Sequence, residues 1–444
     1  MNGVEWLLAT QLQAPSTLVP ADTAFAVLGV LVLLPALPLG RGRRGGPAGP
    51  RSPGAWRAVA VRAGVAAGAA VAVLVACWVV SDVLDLFGVA LSPVTRMWLA
   101  VAGAALGLAV TGIVQGGHGR RVLAVLLVPT ALLVPALGVN VEFAKYPTLG
   151  TVVQTNPYPA LDLDAAPAPA MPTTGAVRTV DIPGVRSGFP ARPAVVYLPP
   201  AALVRDPAPL PVVLAFSGQP GAPSDMFTAG RMAGPLDAYG ARHGGRAPIV
   251  VAVDQLSEPG RNTMCVDSRL GDAATYVTQD VPDWLRSHLP VTTDRRGWGL
   301  VGFSQGATCA MQFLTGQPRS FGAALAISSE LQPIDQNPQH SADQAFRGSL
   351  REWRAAAPIA QMRENGLDRH ALWLTAGSSD RAFTVNARRL GAAARAAGAT
   401  TTVALAPGSG HDWNTVQWSL RTELPHLADA LADALSDAGP GAPR

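Results

Sequence analysis

Four long runs without a charged residue dominate the first 140 positions: AFAVLGVLVLLPALPLG (24–40), AGVAAGAAVAVLVACWVV (63–80), MWLAVAGAALGLAVTGIVQ (97–115) and VLAVLLVPTALLVPALGVN (122–140). A helix crossing a bilayer needs about 17–25 apolar residues, and each run meets that length. The first and last contain prolines. Helices of a soluble bundle keep a polar face, and none of these does. Composition agrees, with 49% hydrophobic and only 14% charged residues; an average soluble domain carries roughly 25% charged. Residues 1–140 therefore read as a membrane module of four spans.

The first run is not a secretory signal, because MNGVEWLLATQLQAPSTLVPADT ahead of it has no basic residue and the arginines follow it. Those arginines set the topology. Arg41, Arg43, Arg44, Arg51 and Arg57 fall between the first two spans, and Arg120 and Arg121 between the last two. The loop between the second and third spans sets Asp82 and Asp85 against Arg96. Positive loops stay cytoplasmic, which puts the N-terminus and everything after about residue 140 outside.

Residues 141–178, including YPALDLDAAPAPAMPTTG, read as an extended Pro/Ala-rich linker. From 179 to 444 the pattern changes. Strand candidates fall at 177–182, 193–198, 211–216, 248–253, 297–302, 322–327, 370–375 and 401–406, and helical stretches at about 271–288, 305–316, 383–398 and 415–437. Such alternation predicts an α/β domain with a mostly parallel sheet covered on both faces. The polar segment 329–369 is either a lid over the strand ends or a surface excursion. No internal repeat is visible.

The chemistry concentrates in LVGFSQGATCA, residues 299–309. Gly302-Phe303-Ser304-Gln305-Gly306 matches G-x-S-x-G at the point where an apolar strand gives way to a helix, the setting that lifts a serine hydroxyl above the sheet. A serine needs a base and a group to orient that base. In the order Ser, acid, His, Asp380 follows the strand LWLT and His411 follows the strand VALA. The other six histidines lie in a loop between spans, ahead of the serine, in the polar segment, at a strand start or within the final helix. Asp380 could instead cap the following helix, and Glu330 is a rival acid. Asp412 adjoins the histidine and cannot readily reach its ring. Acyl transfer also needs donors for the oxyanion. The backbone N–H of Gln305 and that of Gly218 or Gln219, in AFSGQPGAPSDMF, are the candidates.

Of three cysteines, Cys77 lies inside a span, whereas Cys265 and Cys309 lie in the outer domain, where a disulfide persists. They are expected to pair; two buried thiols are the alternative. There is no metal-ligand spacing and no Gly-rich phosphate loop, so neither a metal nor a cofactor is expected. No basic stripe interleaved with aromatics suggests nucleic acid.

Together GFSQG, GSSD and GSGHDWNTVQW resemble the α/β-hydrolase superfamily, and more narrowly the esterase group that includes esterase D and the mycolyltransferases. Membrane-anchored actinobacterial esterases share this arrangement, with a stretch like Tyr146–Gly150 (YPTLG) joining the two parts. The resemblance implies Ser304 as nucleophile, His411 as base and Asp380 as acid. It departs from the mycolyltransferase pattern in having an Asp acid and in the wider spacing of Trp413 and Trp418 after His411. The expectation is a membrane-anchored serine esterase or acyltransferase acting on an acyl ester, such as a lipid or cell-envelope glycolipid beside the membrane. A non-catalytic hydrolase-shaped envelope protein with a binding or assembly role is the rival. A transporter fits poorly, since the spans carry almost no charge.

Overall fold

The computed structural model describes residues 3–34, 53–84 and 91–436. The chain divides into two compact units, Met1–Thr155 and Asn156–Arg444.

In the first unit, four helices are long and apolar enough to cross a membrane: Pro15–Leu33, Gly54–Val83, Pro93–Gln115 and His118–Phe143. The first begins nine residues before the hydropathy run it was expected to follow. Pro15 supplies the fixed φ of a helix start. The polar residues that mask the helix in a hydropathy reading are satisfied locally, Thr23 donating to the Val19 carbonyl at 2.7 Å. Residues 35–40 of that expected span lie outside the described residues, as do Arg41, Arg43, Arg44, Arg51 and Asp85. Pro129 and Pro135 sit inside the fourth helix without ending it.

Small residues let these helices approach one another closely. A Cβ built on Gly103 would lie 2.6 Å from Val73 Cγ2, and one on Gly138 would lie 2.1 Å from the Trp98 ring. Polar contacts gather at the helix ends. Arg62 and Arg120 donate to the carbonyls of Leu33 and Leu34 at 3.0 and 2.8 Å, a favourable place for cations at a helix C-terminus. Elsewhere in the unit, Glu142 accepts from the hydroxyls of Ser92 and Thr95, and Arg96 pairs with Asp82 at 2.6 Å.

The second unit is built on an eight-stranded sheet. Its strands are β1 (Ala176–Val180), β2 (Ala194–Leu198), β3 (Val212–Phe216), β4 (Ile249–Ala252), β7 (Trp298–Phe303), β8 (Ala323–Ile327), β9 (Ala371–Gly377) and β10 (Thr400–Ala406). A two-residue hairpin, β5 (Asp267–Ser268) and β6 (Gly271–Asp272), stands apart. The order is β1-β2-β4-β3-β7-β8-β9-β10. The β1–β2 and β2–β4 pairs are antiparallel, and the rest are parallel. β2, β3, β4, β7 and β8 are buried along their whole length, which is why they read as unbroken apolar runs. Gly299 and Gly302 point to opposite faces of β7. The first packs under Leu431 of helix Leu424–Ser436, and the second packs under Gly306 of helix Gln305–Gly316.

The stretch expected as a linker is divided. Phe143 ends the fourth long helix and Leu149–Val152 forms a short helix of the first unit, whereas Asn156 and Tyr158 already bond to Thr179 beside β1. The polar segment 329–369 holds helices Pro338–Ala345, Leu350–Ala355 and Pro358–Asn365. Its early part forms a core with Met264 through Ala342, Phe346 and Trp353. Its last helix packs against Gln305–Gly316, where Thr315 donates to Gln361 at 2.6 Å.

Candidate active site

Ser304 occupies the turn between β7 and helix Gln305–Gly316 with φ 56° and ψ −120°. A non-glycine side chain seldom adopts such a backbone, and strain of this kind persists only where its surroundings enforce it. Here the enforcement comes from packing. A Cβ on Gly302 would lie 2.2 Å from the Gly306 carbonyl oxygen, and one on Gly306 would lie 2.3 Å from that of Ser217. Both motif glycines are thus needed for the helix to turn back onto β7 and β3.

The elbow, Asp380 and His411 all stand at carboxyl ends of parallel strands, β7, β9 and β10, the edge at which such sheets carry ligands. Ser304 Oγ is 2.9 Å from His411 Nε2, and His411 Nδ1 is 3.1 Å from Asp380 Oδ2. A carboxylate only accepts, so Nδ1 carries the ring proton and Nε2 is left to accept from the serine hydroxyl. The His411 and Asp380 side chains are only 13% and 7% exposed. The ring is walled by Phe303 and Phe383, with centroids at 5.0 and 4.2 Å, and Trp413 packs on Phe303 at 5.2 Å.

Asp380 makes the contacts that both of its sequence readings call for. While Oδ2 meets the imidazole, Oδ1 accepts from the Phe383 N–H at 3.3 Å and caps helix Arg381–Ala396. Asp412 serves the loop instead, accepting from Gly410 N and Ser409 Oγ and capping helix Trp413–Thr422 through Thr415 N. Glu330, the rival acid, accepts from the Thr308 hydroxyl behind the elbow, with no hydrogen bond to His411 among the described residues. Its carboxyl is pushed above the usual value of 4.5 by burial, an effect partly offset by the Thr308 bond and the charge of His411.

Gln305 holds the first position of its helix, where an N–H has no intrahelical partner. Gly218 packs beside the elbow: a Cβ on it would lie 3.4 Å from Ser304 Cβ. Gln219 turns its side chain away, donating to the Gly260 carbonyl at 2.8 Å. The backbone of this loop and the helix start therefore flank Ser304 from two sides.

Behind this surface lie the two cysteines expected to pair and, beside them, groups that the sequence reading did not single out. Cys265 and Cys309 form a disulfide with Cα atoms 5.4 Å apart, tying the loop after β4 to helix Gln305–Gly316. Asp254, fully buried at the end of β4, takes a two-pronged ion pair from Arg192, whose Nη1 also donates to the Gly221 carbonyl. Gln255 and Asn262 follow it and bond to the Gln305 side chain. A polar pair directly after an apolar strand, AVDQL, was the available signal; the contacts themselves depend on long-range register.

The family model described as "Putative esterase" matches residues 191–427, more than half of the 444-residue chain. An uncharacterized protein of Corynebacterium glutamicum is 35% identical over 251 residues, a match covering 54% of this chain and 58% of that protein. The chain thus spans less than two thirds of the length of that curated relative. Similar solved structures include a ferulic acid esterase, at 17% identity and TM-score 0.49 over 59% of this chain and 100% of that one. Another is an S-formylglutathione hydrolase from Agrobacterium tumefaciens, at 16% identity and TM-score 0.49 over 59% of this chain and 98% of that one. With its residues 191–427 matched as a whole and its sheet parallel from β4 to β10, the chain belongs to the esterase family, on an α/β-hydrolase fold.

Proposed function

We propose that the chain is a membrane-anchored serine esterase or acyltransferase, with residues 1–140 as the anchor and the hydrolase unit on the extracytoplasmic side. The observation that carries this reading is the unbroken line Ser304–His411–Asp380, with contacts of 2.9 and 3.1 Å.

In this mechanism His411 Nε2 takes the hydroxyl proton as Ser304 Oγ bonds to the ester carbonyl carbon. Asp380 steadies the imidazolium that forms. The carbonyl electron pair moves onto oxygen, which the N–H groups of Gln305 and of Gly218 or Gln219 receive. The carbon–oxygen bond to the alcohol breaks, and His411 returns the proton to the leaving alkoxide, leaving an acyl-serine. Water, or an acceptor alcohol, then gives its proton to His411 and its oxygen to the acyl carbon. Reversal of the first step frees Ser304. The substrate is an acyl ester, and an anchored site favours one carried by a lipid or cell-envelope glycolipid, with membrane lipids around the spans.

Ser304→Ala tests the reading. Hydrolysis of short p-nitrophenyl esters should fall by at least ~10³-fold, and labelling by a fluorophosphonate probe should vanish. A variant that keeps full activity would refute the mechanism. Wild-type protein that neither hydrolyses esters nor takes the probe would point to the non-catalytic envelope role.

A further inference from the structure

Three buried carboxamides run in a line beneath the proposed oxyanion site. Gln255 Nε2 donates to the Ser217 carbonyl at 2.8 Å and to Gln305 Oε1 at 3.0 Å. Gln305 Nε2 in turn donates to Asn262 Oδ1 at 3.1 Å, with Cys265 Sγ at 3.5 Å beside it. Asn262 Oδ1 also accepts from the Met264 N–H at 2.9 Å, and its Nδ2 donates to the Ile334 carbonyl at 2.9 Å. Gln255, Gln305 and Asn262 are 1%, 6% and 6% exposed.

The polarity of this line is fixed at both ends by backbone groups that have only one role. The Ser217 carbonyl can only accept, so the amide nitrogen of Gln255 must face it. The Met264 N–H can only donate, so the amide oxygen of Asn262 must face that. Gln305 lies between the two and can take one orientation only. Ser217 directly precedes Gly218 and Gln219, and Gln305 supplies the opposing N–H. Both N–H groups of a single carboxamide, that of Gln255, therefore span the two walls of the oxyanion site. Gln255 is itself held: its backbone carbonyl accepts from Thr263 Oγ1 at 2.7 Å, and Asp254 before it is locked to Arg192.

We propose that Gln255 is the positioning residue of the oxyanion site, its carboxamide setting the spacing between Ser217, ahead of the Gly218–Gln219 donors, and Gln305. The inference rests on the Ser304 mechanism above. Gln255 is 1% exposed and, among the described residues, hydrogen-bonds to none of Ser304, His411 and Asp380, so its effect falls on the charged transition state and not on binding of the ester. A misplacement of about 1 Å in such machinery costs about 10²-fold in rate.

The experiment uses the full-length chain in detergent with p-nitrophenyl butyrate. Gln255→Met keeps side-chain length and removes both donors. It should lower kcat about 10- to 100-fold, given that loss of one oxyanion donor costs about 10²–10³, with KM changed less than ~3-fold. Affinity for an alkyl trifluoromethyl ketone, whose alkoxide adduct sits where the oxyanion forms, should fall by the same factor as kcat. The acid limb of the pH–kcat/KM profile should stay in place, because His411 and Asp380 are untouched. Should Gln255→Met not fold, Gln305→Met keeps the backbone donor while cutting the relay, and the same split is expected of it. A folded variant with kcat within twofold of wild type, or one with raised KM and unchanged ketone affinity, overturns the proposal. Ser304→Ala measured alongside separates two failures. Activity surviving there overturns the triad and this inference with it, whereas activity lost there but kept in Gln255→Met overturns this inference alone.

Discussion

Asp380 divides its carboxylate between a helix N-terminus and an imidazole, and one substitution can separate the two duties. Asparagine caps helices as well as aspartate does but cannot hold His411 in the tautomer that accepts from Ser304. Asp380→Asn should therefore keep its thermal midpoint within a few degrees while kcat drops by about 10⁴-fold, the loss seen when a triad carboxylate becomes an amide; both are read by melting curves and ester hydrolysis on one preparation. Glu330 differs, being held high in pKa by burial. Its folded form keeps a proton that the unfolded chain gives up, so its contribution to stability is complete below about 4.5 and declines as pH rises through the folded value. Glu330→Gln should then gain thermal midpoint over wild type progressively from pH 5 to pH 8, and a flat difference across that range would count against the assignment. That Ser304, Asp380 and His411 would approach one another was legible in the sequence, because each follows an apolar strand. Gln255 and Asn262 were not, because amides carry no local signature and their partners lie dozens of residues away.

At the scale of elements, strands were the most legible feature. β2, β3, β4, β7 and β8 are buried along both faces, so each writes itself as an unbroken apolar run. Helix Ala233–Arg242, AGPLDAYGAR, stayed hidden because two glycines and a proline dilute its period. The three helices of 329–369 are short and polar, and the core that Ala342, Phe346 and Trp353 form is completed by Met264, Val266 and Leu270 from a distant loop. The disulfide belongs to this scale, since it fastens a loop to a helix rather than one side chain to another. The bridged residues are 44 apart in sequence, and closing a loop of that order contributes about 4 kcal/mol. The double variant Cys265→Ser/Cys309→Ser should lose about that much in denaturant unfolding of the second unit. Loss of under ~1 kcal/mol would mean that the loop is held without the bond.

For the molecule as a whole, the prediction concerns sidedness. Arg57, Arg120 and Arg121 belong to the two basic loops, and Arg62 and Arg120 both reach the carboxyl end of the first long helix. That convergence supports an orientation in which this end faces the cytoplasm. A C-terminal alkaline phosphatase fusion should be active and a C-terminal green fluorescent protein fusion dark; the opposite pair of results would reverse the orientation. That the chain has two parts was plain from its hydropathy. The dividing point was less so: the Pro-rich stretch suggested a free linker, whereas its residues from Asn156 onward bond to the second unit.

On that orientation, the Cys265–Cys309 bond also dates the enzyme's maturation. Thiols stay reduced on the cytoplasmic side, so the chain leaves the ribosome with the loop that carries Asn262 and Thr263 not yet fastened to the nucleophile helix. On the proposed orientation, translocation, folding of the outer unit and thiol oxidation would follow in sequence, and a host lacking periplasmic or extracellular thiol oxidation would accumulate the inserted chain with this loop unfastened.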